Sequence, residues 1–213
     1  MKEILRIVPL IYAESVLGED KVFAGDSREV KLPISFTIYL LETKERRILV
    51  DAGCETMPGF DMRNFISPVE ALRRIGLDAG DITDVIITHS HHDHMEALHR
   101  FPNAVVHIQQ DELEKGRKFV PQAMNVQPFE REALVDDSVR VVRIGGHSIG
   151  SCVAEFTLNG ERCVICGDEV YSSECFRRGI PTGASCNPAQ SQAFLKEYTS
   201  GWRHFLCHAP VAP

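Results

Sequence analysis

Short runs of β-branched and aliphatic residues recur along the chain, each closed by a charged residue, a glycine or a turn. Their length and Val/Ile content read as buried strands. Candidate strands cover residues 4–8, 35–41, 47–50, 85–88, 104–108, 139–144, 152–158, 162–166 and 205–207. Helices are fewer but well marked. Ser67 as N-cap, Pro68 at the first helical position and Glu70 at the third form a capping box opening a helix over residues 68–75, and Gly76 closes it. Asn187, Pro188 and Gln190 repeat that device ahead of a helix over residues 189–198. Residues 111–118 form a charged helix whose charges read as a solvated face. The segment from Met1 to Arg6 has one early Lys but quickly meets Glu3 and Arg6, which suits a first edge strand better than a signal peptide. No internal repeat or low-complexity linker appears, so one domain over residues 1–213 is expected. Strands with helices outside them fit a layered α/β sandwich.

Composition narrows the class. Apolar residues make up 44% of 213 residues, enough for a substantial core. A net charge of −7 offers nothing to nucleic acid or to acidic membranes, and no apolar stretch approaches the ~20 residues of a membrane span. The seven cysteines are 54, 152, 163, 166, 175, 186 and 207. Their odd number, and the apolar runs that hold several of them, suggest buried thiols in a reducing cytoplasm rather than a disulfide framework. Cys163 and Cys166 form a CxxC. Side chains three apart on a strand face opposite sides of the sheet, so a shared redox or metal role is not expected.

The candidate chemistry lies at the ends of these strands. Residues 88 to 94 read Thr-His-Ser-His-His-Asp-His, directly after the run Asp84-Val85-Ile86-Ile87. Imidazole and carboxylate together suit zinc and similar divalent ions. In extended chain His89 and His91 point the same way and can grip one ion. Asp93 and His94 follow after a turn and can reach a second. A lone His on an apolar strand is more often a core residue, but four such groups in six residues are not. Further ligands must come from elsewhere, since zinc takes about four. Gly145-Gly146-His147-Ser148-Ile149-Gly150-Ser151 sets a His between glycines that allow close backbone approach to a metal and φ > 0. Asp168 follows the run ending at Cys166, well placed to bridge two cations, and His208 follows Phe205-Leu206-Cys207. This repeated context gathers the groups along one sheet edge. His92 reads as a surface or supporting residue, and His99, His107 and His204 have no ligand-like setting.

The series THSHHDH, GGHSIGS, CGD and CH, in this order, resembles the metallo-β-lactamase superfamily of binuclear metallohydrolases. The resemblance spans nearly the whole chain and implies a four-layer αββα sandwich with metals at one edge. It implies one ion on His89, His91 and His147, another on Asp93, His94 and His208, and Asp168 bridging them. Two divalent ions are thus expected, zinc first, with iron, manganese or cobalt also suited to the donors. Tyr171, three residues after Asp168, is similar to the N-acyl-homoserine lactonase branch, where that hydroxyl faces the substrate. The opening segments 33–41 and 48–53 are similar to that branch as well. Met95-Glu96 depart from it, standing where the family has small residues.

The expected activity is opening of a lactone or similar ester. Two nearby cations depress the pKa of a shared water toward roughly 7, so hydroxide is available at neutral pH. One ion is expected to polarise the carbonyl; the resemblance implies that Asp93 carries a proton to the leaving alkoxide, and Tyr171 is expected to donate a hydrogen bond to the carbonyl or the ester oxygen. The expected partner is a small ester or lactone. The nearest competing activity is that of a thioesterase of the hydroxyacylglutathione hydrolase type, though such enzymes carry an extra helical C-terminal region and this chain stops at Pro213. A redox reading is an iron-dependent oxygenase or a flavodiiron-like protein, the latter with Glu where His91 stands. A metal-stabilised binding module is the non-enzymatic reading.

Overall fold

Alternate residues along the central strands belong to different cores, and this places every layer. The structure is a computed structural model describing residues 2–56 and 61–209; Met1, residues 57–60 and residues 210–213, including the terminal Pro213, lie outside it. One sheet runs in the spatial order β1 (Arg6–Gly18), β2 (Lys31–Glu42), β3 (Arg47–Val50), β4 (Asp84–Ile87), β5 (Val105–Gln109), β6 (Asn125–Phe129). β1 to β3 pair antiparallel, and β3 to β6 pair parallel. The other sheet runs β11 (Arg203–Phe205), β10 (Glu161–Ile165), β9 (Cys152–Leu158), β8 (Val139–Arg143), β7 (Glu132–Val135), antiparallel except for the β10–β11 pair. The helices are α1 (Glu19–Val22), α2 (Pro68–Arg73), α3 (His92–Met95), α4 (Gln110–Gly116), α5 (Glu174–Arg178) and α6 (Pro188–Tyr198).

In the first sheet Leu40, Leu49, Val85, Ile87 and Val106 pack with Ala71, Leu72 and Leu113 of α2 and α4. Their strand neighbours Tyr39, Leu41, Ile48, Val50 and Ile86 instead meet Val141, Ala154, Phe156, Cys163 and Ile165 of the second sheet. That sheet's other face carries Val153, Val164 and Cys166 against Phe176, Phe194, Leu195 and Tyr198 of α5 and α6. Two faces per strand and period-2 alternation therefore give helix, sheet, sheet, helix. Cys163 and Cys166 sit in separate cores, as their spacing requires.

Several elements differ from expectation. β1 extends to Gly18 rather than stopping at Val8. A register shift between Ile11 and Ala13 breaks the alternation, and Ile11 and Val16 are exposed, so the pattern fades where the pairing continues. β6 contains Pro128, which reads as a strand breaker and is tolerated at this sheet edge. β7 and α5 are likewise absent from the pattern-based reading. β11 ends at Phe205, where the apolar run 205–207 was expected to be strand. Residues 206 and 207 instead cross to β2: the Tyr39 hydroxyl donates to the Leu206 carbonyl at 2.7 Å, and the Thr37 amide to the Cys207 carbonyl at 2.9 Å. α2 opens as expected, with the Ser67 hydroxyl accepting from the Glu70 amide at 3.1 Å. No helix among the described residues is long and apolar enough to cross a membrane.

Candidate metal centre

β4 delivers the chain to the edge of the sandwich, His89 and His91 follow it, and His91, in extended backbone, opens the short α3 that carries Asp93 and His94. The β8–β9 turn brings His147, the end of β10 brings Asp168, and the crossover after β11 brings His208. All seven residues singled out as ligands converge. His91 Nδ1 lies 2.9 Å from both His89 Nε2 and His147 Nε2, while Asp168 Oδ2 lies 3.7 and 3.5 Å from the latter two. On the other side Asp168 Oδ1 is 3.1 Å from His94 Nε2 and 3.2 Å from His208 Nε2. Asp93 Oδ2 lies 3.4 and 3.3 Å from the same two nitrogens. A tetrahedral shell with bonds of 2.0–2.1 Å has edges of about 3.3 Å. Both groups have the dimensions of such a shell, and Asp168 gives one oxygen to each.

The outer ring nitrogens decide what these donors face. His94 Nδ1 donates to Asp51 Oδ2 at 2.7 Å, His147 Nδ1 to the Ala184 carbonyl at 2.6 Å, and His208 Nδ1 to the Ser35 carbonyl at 2.9 Å. None of these acceptors has a proton to give, so each neutral ring turns an Nε2 lone pair toward Asp168. Asp168 Oδ1 is buried and accepts no hydrogen bond among the described residues. Lone pairs converging on a buried carboxylate repel unless a cation lies between them. The donor set therefore fits two divalent cations. In the metal-free protein protons take that place: burial would depress His208, but Asp168 and Asp93 outweigh it and push it up to about 10. His94 is raised by the same contest, whereas burial and neighbouring imidazoles lower His89.

Tyr171 reaches the site, and its hydroxyl donates to Asp168 Oδ2 at 2.8 Å while its ring stacks on His208. Burial and the adjacent Asp168 carboxylate raise its pKa well above the ordinary tyrosine value, so it stays a donor. A cleft of about 410 Å³ opens onto both groups, and its lining includes the apolar Leu17, Ile34 and Phe36 together with Asp93, Tyr171 and Lys21. His92 also lines it, half-buried, with its Nε2 against the Thr56 carbonyl. His99, His107 and His204 lie elsewhere: His107 pairs with Asp84, and His204 stacks on Phe176.

Three carboxylates escaped the sequence reading. Asp51 closes β3 in left-handed backbone (φ 65°) and takes the Thr88 amide, the Thr88 hydroxyl and His94 Nδ1. Its signal was present, because it follows a strand as Asp168 does. Glu169 is buried and accepts from the amides of Gly146 and His147. A Cβ on Gly146 would lie 2.2 Å from Glu169 Oε2 and 2.5 Å from Ser191 Oγ, so that close approach serves this support rather than a metal. Glu112 corrects the reading of residues 111–118 as a solvated charged face: its side chain is buried behind the ligand loops.

The profile of the metallo-beta-lactamase superfamily matches residues 37–200, and the chain belongs to that superfamily. It is 30% identical over 113 residues to a hydroxyacylglutathione hydrolase of Actinobacillus pleuropneumoniae, a match covering 51% of this chain and 44% of that protein. It thus spans less than half the length of that relative. An N-acyl homoserine lactonase of Bacillus thuringiensis is 27% identical over 168 residues, 67% of each chain. The crystal structure of a B. thuringiensis AiiA mutant with N-decanoyl-L-homoserine at its active site superposes with a TM-score of 0.85 at 20% identity, over 98% of this chain and 94% of that one. AidC, a dizinc quorum-quenching lactonase, gives 0.74 at 18% identity, over 98% and 90%. At these identities the superpositions establish the fold.

Proposed function

We propose that the protein is a metal-dependent hydrolase that opens a lactone of the acyl-homoserine lactone kind, or a similar small ester, using two divalent cations, zinc first. The observation that carries this reading is the pair of donor groups sharing Asp168, with His94, His147 and His208 each fixed by an outer hydrogen bond. His89, His91 and His147 would hold one ion, Asp93, His94 and His208 the other, and Asp168 both. Divalent ions held by these residues would supply a water acidified to a pKa of roughly 7 and a positive charge to polarise a substrate carbonyl. The apolar wall of Leu17, Ile34 and Phe36 receives the acyl portion and excludes water from it. Asp93 borders the cleft and is placed to pass a proton to the leaving alkoxide, so that the ring opens to a hydroxyl and a carboxylate. Tyr171 would hold Asp168 so that each donor group meets one of its oxygens, and it lines the same cleft. The free cysteines suit a cytoplasmic setting.

A second reading, hydrolysis of a glutathione thioester, is favoured by the match to hydroxyacylglutathione hydrolase. One sample separates the two. Protein purified without chelator should carry about two metal ions per chain by elemental analysis. It should hydrolyse medium-chain acyl-homoserine lactones with a higher kcat/KM than acyl-glutathiones or simple aryl esters. A clear preference for the thioester would replace the substrate, and full activity at one ion per chain would sink the two-ion site.

A further inference from the structure

The His89, His91 and His147 imidazoles sit on two loops far apart in sequence, and one buried carboxylate joins those loops from behind. Glu112 Oε2 accepts from the Ser90 amide at 2.8 Å and the Ser90 hydroxyl at 2.6 Å. Glu112 Oε1 accepts from the Ser148 hydroxyl at 2.7 Å and the Gly150 amide at 2.9 Å. One oxygen thus serves the loop of His89 and His91, and the other serves the loop of His147. Ser90 lies between two of the proposed ligands and Ser148 directly follows the third. The side chain is 1% exposed, and its four bonds all come from these loops. The approach is close enough to dictate sequence: a Cβ on Gly150 would lie 2.1 Å from Gln109 Oε1 and 2.9 Å from Glu112 Cγ.

The other proposed ligand group hangs from different anchors. His94 is held by Asp51, the Asp93 carbonyl by the Tyr12 hydroxyl at 2.8 Å, and His208 by Ser35. None of those contacts involves Glu112.

We propose that Glu112 is a positioning residue that sets the spacing of His89 and His91 relative to His147, and so selectively tunes the affinity of the ion those three residues hold. This rests on the two-ion reading above. Glu112 touches no ligand; it acts through backbone and serine groups one residue away. A carboxylate is required because all four partners donate. The amide nitrogen of a glutamine would face a backbone N–H of one loop, which can only donate, and would loosen the hold on that loop even where the serine hydroxyl turns to accept.

The test is chelator-competition titration of metal-free protein with cobalt(II), the two binding steps being assigned by which one His208→Ala removes. Wild type must take up two ions; if it does not, the two-ion reading fails, and this proposal falls with it. Glu112→Gln should weaken the His89/His91/His147 step by about 10- to 100-fold and change its visible spectrum, while leaving the other step within about threefold. Glu114→Gln, on the exposed face of α4, should alter neither. Equal weakening of both steps, or a lower melting temperature of the metal-free protein with both affinities intact, would show that Glu112 only supports the fold and would overturn the proposal. Should Glu112→Gln fail to fold, Ser90→Ala and Ser148→Ala each remove one hydroxyl from one loop. The same selective weakening in them upholds the proposal, and unchanged or equally lowered affinities overturn it.

Discussion

Single residues carry unequal burdens at this site. His208 lies among the donors, with its outer nitrogen fixed by Ser35, whereas His204, four residues earlier, bonds the Tyr198 carbonyl and stacks on Phe176. His208→Ala should remove one ion and lower activity beyond the roughly 10- to 100-fold that losing an outer hydrogen-bond partner costs. His204→Ala should leave metal content and kcat unchanged and lower only the melting temperature. Elemental analysis and kinetics on both variants decide this, and the reverse pattern would move the last ligand. Tyr171→Phe removes the donor to Asp168 Oδ2 and keeps the ring. A lost hydrogen bond of about 1–3 kcal/mol predicts a kcat about ten- to a hundredfold lower on an acyl-homoserine lactone, with two ions still bound. Loss of an ion as well would show that the bond to Asp168 is needed to retain metal and not merely to orient the carboxylate. The converging residues were legible because each closes an apolar strand or sits in a glycine turn. Glu112 was not, because its partners are backbone and serine groups from two remote loops, and nothing near it in sequence distinguishes it from Asp111 or Glu114.

Elements show the same division between local and distant causes. α2 and α6 were legible from Ser67-Pro68 and Asn187-Pro188, because a cap is a contact within four residues. β11 was misplaced because Tyr39 and Thr37 of β2 draw residues 206 and 207 out of their own sheet. α4 buries the carboxylate of Glu112 beside the apolar Leu113, and this makes it sensitive to acid. Burial would raise the Glu112 pKa, but its hydrogen bonds from Ser90, Ser148 and Gly150 outweigh burial and hold it below the ordinary glutamate value. A carboxyl lowered on folding stabilises the fold fully above its unfolded pKa, about 4.3, and ceases to as pH falls through its folded value. In metal-free protein the stability gap between wild type and Glu112→Gln should therefore be constant from pH 7 to about pH 5 and close below that. Urea unfolding across this range measures it, and a gap that widens on acidification would contradict the assignment.

At the scale of the whole molecule, the proposed ligands come from both sheets. His89, His91, Asp93 and His94 follow β4 of the first, and His147, Asp168 and His208 follow strands of the second. The alternation of apolar residues made the strands legible; the stacking order of the layers came from family resemblance, since periodicity does not say which sheet a face meets. Two cations would bring the net charge of −7 to about −3 and would join the sheets at their shared edge. The chain nevertheless distributes these groups unevenly: four fall between residues 89 and 94, while the last lies more than a hundred positions later. A cluster this short would let an unfolded or nascent chain hold an ion weakly before the sheets dock, and the seven thiols would compete for it. Timing then matters as well as affinity. On the proposed two-ion reading, metal supplied after the sheets have closed would meet a prepared site, whereas metal present from the start would be held on the local cluster or on cysteine until handed over.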